Sequence, residues 1–351
     1  MFELFSHDAK IPFTHWGKFT VPLSIALMLV SAVLLFKPGF NLGLDFTGGT
    51  LIELHMDKPV ELPQVRKVLA DAGYDHAVVQ SFGGTRDVLV RLSPREAEAG
   101  EKAAAAKATP AATPAATPSA TPSATPAADA TERKESERAV ELGRTVHDVL
   151  AKGGLPSELK RNEFVGPQVG KELSEDGLVA IVVVLVGILI YIAFRFQLKF
   201  GAAAIIGEIH DVLVTGAIFV LIGREFDTTV LAGLLSVAGY SINDKVVVFD
   251  RIREVFRATS KVEPEDVIDR SINTTLSRTI MTSVVTALAM LGLFLFGGPS
   301  VENFAMVMLI GIVVGTLSSI FFSAQLLLWF HVSKRDLMPK ARDLSELERR
   351  P

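Results

Sequence analysis

The chain has 351 residues, 49% of them hydrophobic, with a mean hydropathy of +0.38 and a net charge of −4. It lacks cysteine, which excludes disulfides, thiol catalysis and cysteine-held metals, and its seven histidines are scattered rather than spaced as ligands. There is no long basic run and no basic-aromatic groove pattern, so nucleic acid is set aside, and the apolar residues gather into long blocks that point to a membrane protein.

The first block, residues 19–36, follows a cytoplasmic segment 1–18 that ends in His15-Trp16 and Lys18, an interfacial anchor ahead of a stretch near the ~20 residues a span requires. Lys37-Pro38-Gly39 then breaks the helix without a small-residue cleavage pattern, so the block is a retained first span rather than a signal. Residues 37–177 form a small domain. Strands are expected at 50–56, 77–82, 87–92 and 158–165, and helices at 62–72 and 131–152. That order suits a ferredoxin-like α+β unit. An Ala/Thr/Pro/Ser repeat at about 103–128 interrupts it, and its prolines and lack of apolar bulk make it an extended, solvated tether in a tolerated loop insertion.

Five further blocks, at 178–194, 201–222, 228–249, 279–296 and 304–330, bring the count to six spans. Between the fourth and fifth, 250–278 reads as a cytoplasmic loop with an amphipathic helix, and 331–351 as a cytoplasmic tail. Lysines and arginines cluster in alternate short loops (Lys10 and Lys18; Arg195 and Lys199; Arg251, Arg253, Arg257 and Lys261; Lys334 and Arg335). By the positive-inside rule both termini are cytoplasmic and 37–177 lies outside.

Two charged groups interrupt the apolar blocks: Glu208, His210 and Asp211 in the third, and Asn243-Asp244-Lys245 in the fourth. A charge at the centre of a span costs about 2.5 to 3.5 kcal/mol, so such residues face protein and carry protons, ions or pairing. Counting from Gly201 places Asp211 roughly 15 Å deep, near the midplane of a core ~30 Å thick. Glu208 shares its helical face, Thr215 extends that stripe outward, and His210 points elsewhere, either as a packing residue or as a proton carrier. If the fourth helix stops near Phe249, Asp244 and Lys245 lie roughly 6 to 8 Å from the cytoplasmic end. There Lys245 either snorkels to the interface or pairs with Asp211 or Glu208, and Asp244 with Asn243 either joins a proton relay or packs helices. Tyr240 and Ser241, one turn outward, are expected to support the site while bonding backbone carbonyls. Arg278, Thr282 and Thr286 give the fifth span a polar face toward the bundle, and Gly311 and Gly315 suit close packing of the sixth. At the membrane exit, Asp250 to Glu254 reads as a solvated helix and topology anchor.

Several ordered motifs carry a family resemblance. Asn41-Leu42-Gly43-Leu44-Asp45-Phe46-Thr47-Gly48-Gly49-Thr50 follows the first span, and Phe164-Val165-Gly166-Pro167-Gln168-Val169-Gly170 precedes the second. Gly239-Tyr240-Ser241-Ile242-Asn243-Asp244 continues into Val247-Val248-Phe249-Asp250-Arg251-Ile252-Arg253-Glu254. Over nearly the whole chain outside the Pro-rich insert, this set closely resembles the SecD/SecF family of bacterial protein-export membrane proteins, on its SecF side.

The resemblance implies an α-helical polytopic membrane protein of six transmembrane helices, an RND-like half unit, with the small α+β domain in the periplasm. It implies residence in the cytoplasmic (inner) membrane, pairing with SecD, association with the SecYEG channel and with YajC and YidC, and use of the proton-motive force on preproteins after SecA has begun translocation. The family's relay aspartate, in a His-Asp pair on the third span, corresponds to His210-Asp211. In the turn Gly43, Asp45, Phe46, Gly48 and Gly49 we read architecture, with Asp45 capping backbone amides.

No phosphate-binding loop with Lys-Ser/Thr, no His-Glu-x-x-His and no Gly-x-Ser-x-Gly occurs, so no ATPase, other enzyme, cofactor or metal is expected. Two other classes remain open: an efflux half-transporter for lipids or small molecules, and a passive assembly scaffold of the translocon.

Overall fold

The computed structural model describes residues 11–37, 39–75, 77–81, 86–93, 127–259, 262–333 and Asp336. The tether expected at 103–128 falls almost wholly outside them, as do residues 1–10 and nearly all of the tail. Two compact units form, one from residues 42–177 and one from 1–41 with 178–351.

In the first unit the strands are β1 (Gly49–Met56), β2 (Val78–Ser81), β3 (Asp87–Leu92) and β4 (Ser157–Val165), in the antiparallel order β2-β3-β1-β4. Ile52, Leu54 and Met56 alternate inward along β1, and Val90 and Val88 lie opposite Ile52 and Leu54 on β3. Against this apolar face pack Val65 and Leu69 of one helix (Leu62–Asp71) and Leu142, Val146 and Leu150 of another (Ala127–Lys152), at the i, i+4 spacing that shares a helix face. Strand–helix–strand–strand–helix–strand with this sheet order is the ferredoxin-like unit.

Ahead of β1, a single helical turn at Leu44–Thr47 begins from Gly43, whose carbonyl accepts from Thr47 Oγ1 at 3.0 Å. Asp45 sits inside that first turn. Gly48 (φ 66°) and Gly49 (φ 128°) then turn the chain into the strand. A Cβ on Gly49 would run into the Leu92 carbonyl, so glycine is required there by both conformation and space.

Among the described residues, six helices are long and apolar enough to cross a membrane. They are α1 (Phe13–Phe36), α2 (Pro167–Arg195), α3 (Leu198–Ile222), α4 (Thr228–Ala258), α5 (Pro264–Phe296) and a sixth span, Pro299–Trp329. The sixth is α6 (Pro299–Ser318), a π-helical turn at Ser319–Ser323, and α7 (Ala324–Trp329). Half of the most apolar window is buried in α3, α4 and the sixth span, against 11% in α1, α2 and α5, so the first three form the centre. Asp227 caps α4, accepting from the Val230 amide at 2.8 Å, and Gly223 ends α3 in the left-handed conformation.

Several helices overrun their apolar blocks. The α4 helix continues to Ala258 and α5 begins at Pro264, so most of the segment 250–278 is helical. Nothing between Asp250 and Arg257 breaks a helix, and a helix need not end where its apolar face does.

Candidate functional site

The centre of the bundle is polar. Glu208, His210 and Asp211 on α3 and Asp244 and Lys245 on α4 are all 0 to 4% exposed. Lys245 Nζ donates to Asp211 Oδ2 at 2.6 Å, to Glu208 Oε2 at 3.1 Å and to Ser241 Oγ at 2.6 Å. Those three bonds use every donor of the ammonium. The Ser241 hydroxyl in turn donates a hydrogen bond to Asp211 Oδ2, and His210 Nδ1 lies 2.8 Å from Asp211 Oδ1. Asp211 therefore has polar partners on both oxygens, from two helices.

The backbone makes room for this cluster. At Gly207 a Cβ would strike Ser323 Oγ and come within 2.8 Å of Lys245 Cε, and at Gly315 it would come within 2.8 Å of Ser241 Oγ. At Gly311 it would run into the Val237 side chain. These small residues let α3, α4 and α6 approach closely enough for side chains of neighbouring spans to share one ion cluster.

Several expectations change. Lys245 does not snorkel. Because α4 runs to Ala258, Lys245 lies thirteen residues from its end, ~20 Å, and it meets α3 at the depth of Asp211, which is likewise ~20 Å from Leu198. His210 does not point away from the stripe: its ring turns back to Asp211 and rests against Phe322 at a centroid distance of 4.7 Å. Helical spacing fixes where a Cβ starts, and the χ angles of an adjacent residue can still return its ring to a neighbour.

Ser241 bonds the ions rather than a backbone carbonyl, and Tyr240 Oη reaches Ser283 Oγ at 3.3 Å. Asp244 is buried with Oδ2 unpartnered, while Asn243 is exposed. Arg278 is exposed, and Thr282 and Thr286 bond the carbonyls one turn back. The buried polar face of α5 is instead Ser271, Thr275, Thr279 and Ser283, with Ser283 Oγ 2.7 Å from Thr316 Oγ1. The glycines and Asp45 of the turn at 43–49 belong to the other unit.

The sequence reading missed Gly207, Ser323 and Gln325, while the close-packing role expected of Gly315 is the one found, against Ser241. Their signal was present as small and polar residues inside the third and sixth apolar blocks, but only the packing of α3, α4 and the sixth span assigns them to one place.

Among known proteins, the family described as "Protein export membrane protein SecD/SecF, C-terminal" matches residues 145–333, and the "SecD/SecF GG Motif" matches residues 33–60. Protein translocase subunit SecF of Vibrio alginolyticus is 39% identical over 97% of this chain and 96% of its own. That of Pseudomonas aeruginosa is 39% identical over 92% of each. The crystal structure of SecDF, a translocon-associated membrane protein from Thermus, is similar with a TM-score of 0.74 and 32% identity over 93% of this chain. A SecDF structure in a super-membrane-facing form matches with a TM-score of 0.61 and 31% identity over the whole chain. This chain spans only 40% and 41% of those SecDF chains. Its near-complete overlap with the SecF relatives, together with both family matches and six membrane helices, means that the chain belongs to the SecF family of protein translocase subunits.

Proposed function

We propose that this subunit couples the proton-motive force to preprotein translocation, with Asp211 as the principal proton carrier and Lys245 as its counter-ion. Glu208, His210 and Asp244 complete the relay, and Asn243, Tyr240, Ser241 and Arg278 support it. One observation carries this reading: a single ammonium, wholly buried, bridges two carboxyls on the neighbouring helix. One positive charge neutralises one carboxylate, so within a low-dielectric bundle the second carboxyl holds a proton or leaves an uncompensated charge. Proton arrival at Asp211 removes one of the two ion pairs of Lys245 and loosens α4 from α3; proton departure restores it. Each charge that crosses 100 mV supplies about 2.3 kcal/mol, enough to bias a two-state helix arrangement by tens of fold.

The partner in this reading is a SecD-type chain, because the SecDF chain is more than twice as long as the region matched here. Together they act beside a SecYEG-type channel, with YajC and YidC in the larger assembly, after SecA has started the preprotein. The distribution of lysine and arginine supports cytoplasmic termini, a periplasmic α+β domain and residence in the bacterial inner membrane. Movement of that domain would hinder an emerging polypeptide from sliding back. None of this requires an enzyme active site or a cofactor.

The test is Asp211→Asn, which keeps size and most hydrogen bonding. Assembly with the SecD-type partner should persist while gradient-dependent export into sealed inverted vesicles is lost. Full export by the variant would leave the subunit a passive scaffold.

A further inference from the structure

We propose that water enters the buried ion cluster through the seam between α1, α3 and the sixth span, and that Gln325 and Ser323 hand protons along it. The proton-handing half of this proposal rests on the function proposed above; the water path stands by itself.

The entry is a cleft of about 370 Å³ at the membrane-exit end of α1 and α7, where Thr14, Lys18, Glu265 and His331 line the rim. Gln325 lies in its lining and is 1% exposed, yet neither its amide nitrogen nor its amide oxygen has a partner. Gly17 makes the space for that amide, since a Cβ there would approach Gln325 Oε1 to 2.8 Å. A buried donor or acceptor left unpaired costs on the order of 1–3 kcal/mol, and both ends of one amide are unpaired here beside an open cleft.

Further in, Ser323 is 0% exposed and its hydroxyl is also unpartnered, pressed over Gly207 and the stem of Lys245. Beyond it are Glu208 Oε1 and His210 Nε2, again buried and unpartnered. By helical rise these groups are stepped in depth: Gln325 is ~6 Å from the end of α7 at Trp329, Ser323 ~9 Å, and Glu208 ~15 Å from the start of α3.

The sixth span is built to hold these groups open. Its π-helical turn at Ser319–Ser323 inserts an extra residue, and the Phe321 carbonyl accepts from Thr20 Oγ1 of α1 at 2.6 Å instead of serving only its own helix. Ser323 thereby faces α3 and Gln325 faces α1, two helices that pack together, so both side chains open onto one seam. Past Asp211 toward the other end of α3, the buried positions Val214, Thr215, Gly216, Ala217 and Phe219 offer a single hydroxyl. The seam at the Lys18 end is the wetter approach.

Because the chain has no cysteine, each introduced thiol is its only one. Ser323→Cys and Leu327→Cys, the latter a buried apolar position, would be made in the assembled complex in sealed inside-out vesicles and treated with a charged, impermeant methanethiosulfonate. Ser323→Cys should react roughly tenfold faster than Leu327→Cys, because only a hydrated thiolate attacks. It should react from the Lys18 side alone.

Adding Gln325→Leu should slow that labelling and lower proton flux in proteoliposomes to a similar degree, whereas adding Asp211→Asn should abolish flux and leave labelling intact. Equal labelling of the two cysteines, or labelling only from the opposite side, overturns the water path. Normal flux in Gln325→Leu overturns the proton-handing role of Gln325. Rapid Ser323→Cys labelling without any proton flux in the parent protein would instead overturn the proposed function and keep the path.

Discussion

The α+β domain buries Ile52, Leu54, Met56 and Leu69 and keeps Glu53, His55 and Asp87 toward its surface, whereas the helical bundle buries Glu208, Asp211 and Lys245 and turns Leu178, Val183, Leu288 and Leu295 outward. One unit is ordered as proteins are in water and the other as proteins are in lipid. Burial in water is driven by removing apolar surface, at roughly 25 cal/mol per Å². In lipid that drive between helices vanishes, and close packing with internal polar bonds holds the spans together. The same lysine that would be solvated on the domain becomes the most enclosed cation of the bundle.

The sharpest way to break that contrast is to remove the cation. Lys245→Met leaves Asp211 and Glu208 without their shared counter-ion, and should destabilise the bundle by about 3–5 kcal/mol, read as a fall in unfolding midpoint in micelles. Adding Glu208→Gln and Asp211→Asn to Lys245→Met should restore much of it. If the single variant were as stable as the parent, the ion cluster would contribute nothing to the fold.

A smaller effect is expected from Leu54→Ala, which should cost about 2–5 kcal/mol but confine the loss to the sheet, measured as faster amide exchange in β1 and β3 of the full chain. Faster exchange in α3 or α4 as well would mean that the two units share stability. Least of all should come from Leu288→Ala, a residue of the same type that is 62% exposed on α5: within about 0.5 kcal/mol of the parent in micelles. A larger loss, measured in a purified complex with the SecD-type partner proposed above, would identify that face as an interface rather than a lipid surface.

Much of the fold was legible from pattern. Period-two alternation in β1, i, i+4 spacing at Leu142, Val146 and Leu150, and six apolar blocks each report a local rule that one strand or one helix obeys alone. Depth was less legible. The apolar block of the fourth span ends at Phe249, so Lys245 looked shallow, yet the helix carries on to Ala258 and the lysine sits level with Asp211. The polar stripe of α5 was expected at Thr282 and Thr286 but runs through Thr279 and Ser283, because a helix with hydroxyls on adjacent faces gives no local sign of which face its neighbours cover.

By itself the sequence determined which residues are costly to place in a membrane, because that cost belongs to each side chain and its span. Glu208, Asp211, Asp244 and Lys245 stood out on that ground alone. Tertiary structure alone decided who meets whom. That Lys245 bridges two carboxyls and that Ser323 and Gln325 open onto one seam depend on glycines at 17, 207 and 315 letting separate helices approach. Close approach is a property of pairs of helices, and no single helix encodes it.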